Sequence, residues 1–434
     1  MQLLYPCKKI HGKQHPEWAY DAVLYELNMR QFTTEGTFVA AAKELPRLKK
    51  LGVDVIWLMP IFPIGEQRRK GSLGSYYSIR DYRAVNPEFG TMDDFRAFLQ
   101  QAQNEGVKVI LDWVPNHTSR DAVWTIEHPD WYEFDTEKNE IATPFDWTDT
   151  AKLDYSQQAM REEMVAAMKF WLSQGIDGFR CDMAMLQPID FWDWATPELE
   201  QVKPDIFMLA EAEGVEFHRR AFDATYAWDM HHLLVKIAQG QANADSLRER
   251  LKWEAFHYPE QAIRMQFTSN HDENSWSDTE FVRFGAAAKA MAALTYILPG
   301  IPLIYNGQEV AQPRRLAFFD KDAIEWGAPN DFSDLYEKLS SLKHAHPALR
   351  AGEQGGDLYS IDNSEQWRIF AVKRKIGEQT VIALFNFSGA DAWVKFWDED
   401  FNGEYNQLLS NDKAQLTSDS DFLLAPWGWF VYWR

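Results

Sequence analysis

Residues 91–117 read TMDDFRAFLQQAQNEGVKVILDWVPNH, and this stretch holds the unit from which most of the chain is built. Thr91 followed by Asp94 is a helix start of the capping-box kind, in which each side chain bonds the other residue's backbone N–H. Phe95, Phe98, Leu99 and Ala102 then fall at helical spacing on one face, and Gly106 stops the helix. Val107–Val114 follows as a strand-like run rich in β-branched and apolar residues. That run carries Asp112 and leads into Asn116 and His117, so the strand ends in polar chemistry.

The same alternation extends in both directions. Strand-like runs recur at Val23–Leu27, Val53–Leu58, Gly178–Asp182, Ile206–Glu211, Ala221–Tyr226, Met265–Ser269 and Ile301–Tyr305. Ser156 opens a second clear helix, with Met160, Met164, Ala167, Met168, Trp171 and Leu172 at helical spacing and Gly175 as its stop. Those methionines read as core. Pro46 splits the helix expected between the first two strands. The gap from Glu211 to Ala221 is too short for a full crossover helix. Eight strand–helix alternations predict an α/β chain folded as a (β/α)8 TIM barrel, with a doubly wound open sheet as the alternative. No Gly-x-Gly-x-x-Gly follows any strand, so the open sheet lacks its dinucleotide fingerprint.

Two departures from the alternation set the domain plan. Thr118–Lys152, rich in Trp124, Trp131, Tyr132, Phe134 and Trp147, is an insertion after the third strand. After about Ala351 the runs Trp367–Lys373, Thr380–Phe387, Ala392–Phe396 and Leu423–Trp433 read as short strands between turn residues. The expected organisation is a barrel over residues 1–117 and 153–350, an inserted loop subdomain over 118–152, and an all-β domain over 351–434.

Bulk properties narrow the function. The chain has 434 residues, 46% of them hydrophobic, enough for a large core. Its formal charge of −21 argues against nucleic acid and against an anionic membrane surface as partners. The 19 Trp, 16 Tyr and 28 Phe are mostly core, although some could be platforms for the apolar faces of sugar rings. Cys7 and Cys181 are the two cysteines, and Cys181 lies inside an apolar run, so no disulfide framework is expected. Met1–Ile10 shows no continuous apolar stretch of the secretory kind, which leads to the expectation of a cytoplasmic protein.

Acidic and basic groups collect at four strand ends: Asp112–His117, Gly178–Asp182, Glu211 and Asn270–Glu273. In a barrel such ends share one rim. Period-two geometry puts Arg180 and Asp182 on the same side of their strand, and a guanidinium beside a carboxylate favours its ionised form and fixes its aim. That suits a nucleophile. Glu211 follows the apolar run Phe207–Ala210, an expected apolar surround of the sort that suits a general acid. Asp272 would be a third acid, placed to stabilise developing positive charge. Singly, each has a plainer reading: an Asp at a strand end is more often a turn or cap, and an Arg-x-Asp more often a structural pair. A metal reading of His117, His271, Asp112 and Asp272 is opposed by the strand-one end, Glu26-Leu27-Asn28-Met29-Arg30, which lacks a His-x-His.

Taken in order, these motifs resemble those of the α-amylase superfamily of glycoside hydrolases. Asp112–His117, Gly178–Asp182, Glu211 and Asn270–Asp272 are similar to its four ordered regions, and GIPLIYNGQE at residues 300–309 to its strand-eight signature. Asp81-Tyr82 and Phe89-Gly90-Thr91 resemble the run that follows its second strand. The resemblance implies Asp182 as nucleophile, Glu211 as acid and then base, and Asp272 as transition-state stabiliser. Arg180 would hold Asp182, His117 and His271 would bond sugar hydroxyls, and Tyr77 would stack on the ring. It implies retention of the α configuration, a C-terminal β-sandwich, and α-1,4-glucans from starch as substrate. An exo-acting α-glucosidase or glucosyltransferase on short α-glucosides is the alternative, and a non-catalytic binding protein a further one. Met185 and Leu186 stand where many α-amylases carry Lys-His, Met183 where Ala is frequent, and Ser78 where Asp often follows the tyrosine. Thr33–Thr37 lacks the acidic run that binds metal in some relatives. No cofactor and no tightly bound metal, calcium included, is therefore expected.

Overall fold

The computed structural model describes residues 2–6, 13–398, 401–410, 412–418 and 421–434. Cys7 lies outside the described residues, and Cys181 is a buried free thiol. The eight expected strands all form. They are β1 (Leu24–Leu27), β2 (Val55–Leu58), β3 (Lys108–Trp113), β4 (Gly178–Cys181), β5 (Phe207–Ala210), β6 (Ala224–Tyr226), β7 (Ile263–Gln266) and β8 (Ile301–Tyr305). They close into a barrel in the order β5-β6-β7-β8-β1-β2-β3-β4. By its contacts the chain divides into two compact units. One comprises Leu24–Thr225 and Arg315–Trp326; the other comprises Met1–Val23, Tyr226–Arg314 and Gly327–Arg434.

In the first unit the register decides which polar groups meet. β3 and β4 run parallel with Asp112 beside Arg180 and Trp113 beside Cys181. β4 and β5 run parallel with Arg180 beside Leu209 and Cys181 beside Ala210. The ladder continues one step past both strands: the Asp182 N–H bonds the Trp113 carbonyl at 2.8 Å, and the Glu211 N–H bonds the Cys181 carbonyl at 3.0 Å. Asp182 and Glu211 are thus consecutive rungs of one parallel edge. β4 and β5 also approach closely at Gly178, where a Cβ would run into the Phe207 carbonyl.

The helices follow their sequence signals. Helix α1 (Met92–Asn104) carries the full Thr91/Asp94 capping box and buries Phe95, Phe98, Leu99 and Ala102. Helix α2 (Gln158–Ser173) starts two residues after Ser156, with Gln157 as its cap, and buries all three of its methionines. The split at Pro46 is real: Phe38–Ala42 and Leu45–Leu51 are separate helices, with the proline in the first turn of the second. Between β5 and β6 only the short 3-10 turn Val215–His218 fits. The insertion is anchored by pairing of His117–Ser119 with Thr150–Lys152 and carries a small hairpin, Phe134–Asp135 with Glu140–Ile141.

β7 ends earlier than Met265–Ser269 suggested. The Phe267 carbonyl pairs with His231 Nδ1 at 3.1 Å and the Thr268 carbonyl accepts from Arg283 Nη1 at 2.9 Å. Side chains have taken the backbone groups that a ladder would need.

After residue 351 an antiparallel domain forms. Its main sheet has the order Gln2–Tyr5, Asp357–Ser360, Ile369–Ile376, Gln379–Asn386, Trp429–Trp433, Gly403–Gln407, Lys413–Leu416. The N-terminal strand therefore joins this sheet, which the sequence did not signal. A two-stranded ribbon, Ala392–Val394 with Phe422–Leu424, supplies Ala392, Val394 and Leu424 to the same core as Ile369, Ile382 and Leu384 of the main sheet. The expected single strand Leu423–Trp433 is two strands, because Pro426 lacks an N–H, Trp427 takes a left-handed φ of 54° and Gly428 closes a turn onto the Ala425 carbonyl. No helix among the described residues is long and apolar enough to cross a membrane.

The close β4–β5 approach gives a test. Gly178→Ala should destabilise the protein by about 3 kcal/mol or prevent soluble expression, read as a shift of the urea midpoint. A midpoint within error of the parent would show that the barrel tolerates a wider spacing there.

Candidate active site

Arg180 is the centre of the first unit's polar cluster. It is 0% exposed, so its charge must be met inside the protein. Nη1 donates to Asp112 Oδ1 at 2.9 Å and to Asp182 Oδ1 at 3.0 Å, and Nη2 donates to Glu211 Oε2 at 2.8 Å. One guanidinium from β4 thereby gathers carboxylates from the ends of β3, β4 and β5. Its flat face lies 4.8 Å from the centre of the Trp57 ring, a cation–π contact from β2. The Trp57 indole N–H and the Tyr77 hydroxyl both donate to Asp112 Oδ2 at 3.0 Å. Asp112 is therefore saturated by donors and serves to hold Arg180, Trp57 and Tyr77 in place.

Glu211 differs from its sequence expectation. The apolar residues before it suggested an apolar surround. The structure gives it polar company, because its rung beside Asp182 brings it onto Arg180. A second donor comes from the backbone: the Met183 N–H bonds Glu211 Oε2 at 2.8 Å. Met183 reaches that position by adopting a left-handed conformation, φ 45° and ψ 42°. Methionine rarely does this, and such strain collects at functional sites. Both donors use Oε2. Oε1 has no hydrogen-bond partner among the described residues, so this oxygen remains available within a carboxylate that is otherwise fixed.

Tyr77 is half-buried, with its ring parallel to that of Phe318 at 6.3 Å between centres. His117 is buried, bonded through Nδ1 to Asn116 Nδ2 at 3.2 Å, and its ring lies 5.3 Å from Trp147 of the insertion. Burial pushes its pKa down to about 4, against a smaller upward effect of a bond with the Tyr77 backbone, so the imidazole is neutral near pH 7.

Asp272 and His271 lie in the second unit, after β7. His271 Nε2 is 3.4 Å from Asp272 Oδ2; His271 is buried, whereas the Asp272 side chain is 37% exposed. The turn that carries them is braced from behind. Glu273 Oε2 lies 3.2 Å from His231 Nε2 and 3.3 Å from Arg283 Nη1, and the Glu273 N–H bonds Asn270 Oδ1 at 2.8 Å. A π-helical turn, Glu273–Ser277, begins directly after Asp272, a rare form found mostly at functional sites.

The structure thus places Arg180, Asp182, Glu211, Tyr77 and His117 within one unit, and His271 with Asp272 in the other. The sequence did not point to Trp57, the Met183 N–H or the Glu273–His231–Arg283 brace. Trp57 has a faint signal, as a large aromatic with a donor inside an otherwise aliphatic strand. Met183 has none, since nothing in a methionine announces positive φ.

The catalytic-domain model of the α-amylase family matches residues 31–150 and 129–350. The chain belongs to the α-amylase family. An α-amylase of Haloarcula japonica is 29% identical over 430 residues, covering 93% of this chain and 62% of that protein. An α-1,4-glucan:maltose-1-phosphate maltosyltransferase of Rhodospirillum rubrum is 29% identical over 379 residues, covering 77% of this chain and 53% of that one. The chain thus spans less than two-thirds of the length of either relative. Two solved structures resemble this family member over almost their whole length. They are an α-amylase from Lactobacillus plantarum, with a TM-score of 0.85, 29% identity and 96% and 99% of the two chains covered, and a maltogenic α-amylase from Thermotoga neapolitana, with a TM-score of 0.87, 27% identity and the same coverage.

The neutral His117 has a consequence for acid stability. In the unfolded chain it takes up a proton near pH 6.5, in the folded protein only near pH 4. Unfolding therefore gains protons in that window, and stability falls as pH drops through it, by about 3 kcal/mol at most. His231, also depressed by burial, adds in the same direction. His117→Asn should flatten the dependence of the unfolding midpoint on pH between about 6.5 and 4, whatever its effect at pH 7. A slope equal to the parent's would assign the acid lability elsewhere.

Proposed function

We propose that this chain is a retaining α-glycoside hydrolase that cleaves α-1,4 bonds of starch-derived glucans. The observation that carries the reading is the shared Arg180: it holds Asp182 by Nη1 and Glu211 by Nη2, while Glu211 Oε1 stays uncommitted. Two carboxylates gathered on one guanidinium are compatible with the ~5–5.5 Å separation of a retaining pair. Asp182 attacks the anomeric carbon and forms a covalent β-glucosyl intermediate. Glu211 gives a proton to the leaving glycosidic oxygen, then takes one from the incoming water. Asp272 stabilises the oxocarbenium-like charge between these steps. The neutral His117, with His271, bonds hydroxyls of the sugar being cleaved, and Tyr77 offers its ring face. The resemblance to α-amylases of known structure supports the hydrolase.

Transfer is the second reading, supported by the maltosyltransferase relative. There a sugar hydroxyl replaces water in the second step and the residues keep their roles. A product time course separates the two. Incubated with starch, maltoheptaose, maltose and sucrose in turn, the hydrolase releases a ladder of maltooligosaccharides from starch at early times. Glucose alone from short substrates makes the enzyme exo-acting, and products longer than the substrate make it a transferase. Asp182→Asn should lower the rate by at least about 10⁴-fold with the fold intact; retained turnover would remove Asp182 as nucleophile.

We propose further that no metal is tightly bound. Four carboxylates of the insertion, where a calcium site would be sought, pair with cations: Asp149 with Lys70 at 3.2 Å, Glu140 with Arg68 at 2.7 Å, Glu133 with Lys152 at 2.9 Å and Asp135 with Lys138 at 3.2 Å. Dialysis against a strong chelator should leave the melting temperature unchanged, and a fall of many degrees would reveal a structural ion. A glucan or oligosaccharide is the proposed partner, in a cytoplasmic setting.

A further inference from the structure

The C-terminal domain has an outward face that the proposed reaction does not use. Along residues 392–398 exposure alternates: Ala392, Val394, Phe396 and Asp398 turn in, while Trp393, Lys395 and Trp397 turn out. The inward apolar residues belong to the domain core. On the paired strand Leu423 stands opposite Trp393, and Lys395 Nζ lies 3.7 Å from Asp421 Oδ1. Trp393 and Trp397 are each 64% exposed, and Leu423 46%. The Trp397 N–H bonds the Asp362 carbonyl, so its backbone is fixed while the indole stands out. Leaving two indoles in water forgoes the largest burial any side chain can offer. β propensity does not require it, since a threonine serves an outward strand position as well.

The size and texture of this face indicate its occupant. The three side chains present on the order of 400 Å² if a tryptophan counts ~250 Å², whereas a stable self-association buries about 800 Å² per copy. The apolar surface is also interrupted. The Lys395–Asp421 ion pair sits between two indoles some 13 Å apart along the strand. Protein interfaces deplete charge at their centres. A sugar chain wants the opposite, apolar platforms for ring faces separated by polar groups for hydroxyls.

We propose that Trp393 and Trp397 form a second binding surface for long α-glucan chains. Glucose rings stack on the two indoles, and hydroxyls between them meet Lys395 and Asp421. The surface matters for polymers and not for short oligosaccharides, which cannot span it. The inference rests on the glucan reading above.

The test uses the whole chain. Retardation of Asp182→Asn protein in gels containing amylopectin is measured with saturating maltotriose present, so that active-site binding is masked. Parallel single and double replacements of Trp393 and Trp397 by alanine are compared, with unfolding midpoints recorded. The double variant should bind amylopectin about tenfold more weakly, and on the active parent should lose initial rate on starch granules while kcat/KM for maltotriose is unchanged. Equal retardation of parent and double variant overturns the proposal. So does a sedimentation mass of two chains that falls to one in the double variant, which would make the face a self-association surface. If the active parent cleaves no maltooligosaccharide at all, the glucan reading itself has failed; cleavage without retardation sinks the surface alone.

Discussion

A buried guanidinium sets the terms for the first unit. A cation without water contact must be surrounded by acceptors. Arg180 meets this with carboxylates from three consecutive strand ends and the face of Trp57 from a fourth strand. The strands must hold their register for those groups to meet, so the demand for charge balance and the geometry of the barrel edge are one constraint. Three carboxyl groups around one arginine are more acid than a simple structural ion pair needs.

Much of the architecture was legible because it rests on local signals. The capping box at Thr91, the stop at Gly106 and the proline at 46 each act within a turn of chain, and all appear where they were read. The end of β7 was misplaced because the deciding groups, His231 and Arg283, come from other elements and displace a ladder by bonding its carbonyls. The N-terminal strand was missed for a similar reason: Gln2–Tyr5 has no meaning until Asp357–Ser360 is there to pair with it.

The candidate site divides along the same line. Residue types at strand ends named Asp182, Glu211, Arg180, His117, His271 and Asp272, and the family resemblance added Tyr77. The surround of Glu211 was misjudged because its neighbours in sequence point elsewhere: side chains alternate along a strand, and the rung across the ladder decides what a carboxylate meets. Met183 was invisible because its contribution is a backbone N–H, offered only through a conformation its side chain disfavours.

That conformation shows how the edge of β4 is used. Had the chain continued extended after Asp182, the Met183 N–H would serve the ladder and Glu211 would depend on Arg180 alone. Turning left-handed at Met183 ends the strand at once, aims the amide at Glu211 Oε2 and starts the 3-10 turn Ala184–Leu186. The strain costs on the order of 1–3 kcal/mol. In return one carboxylate oxygen is pinned from two directions while the other stays open. A glutamate held by arginine alone could swing about that single contact. Held by a guanidinium and a backbone amide together, it keeps its other oxygen in one orientation.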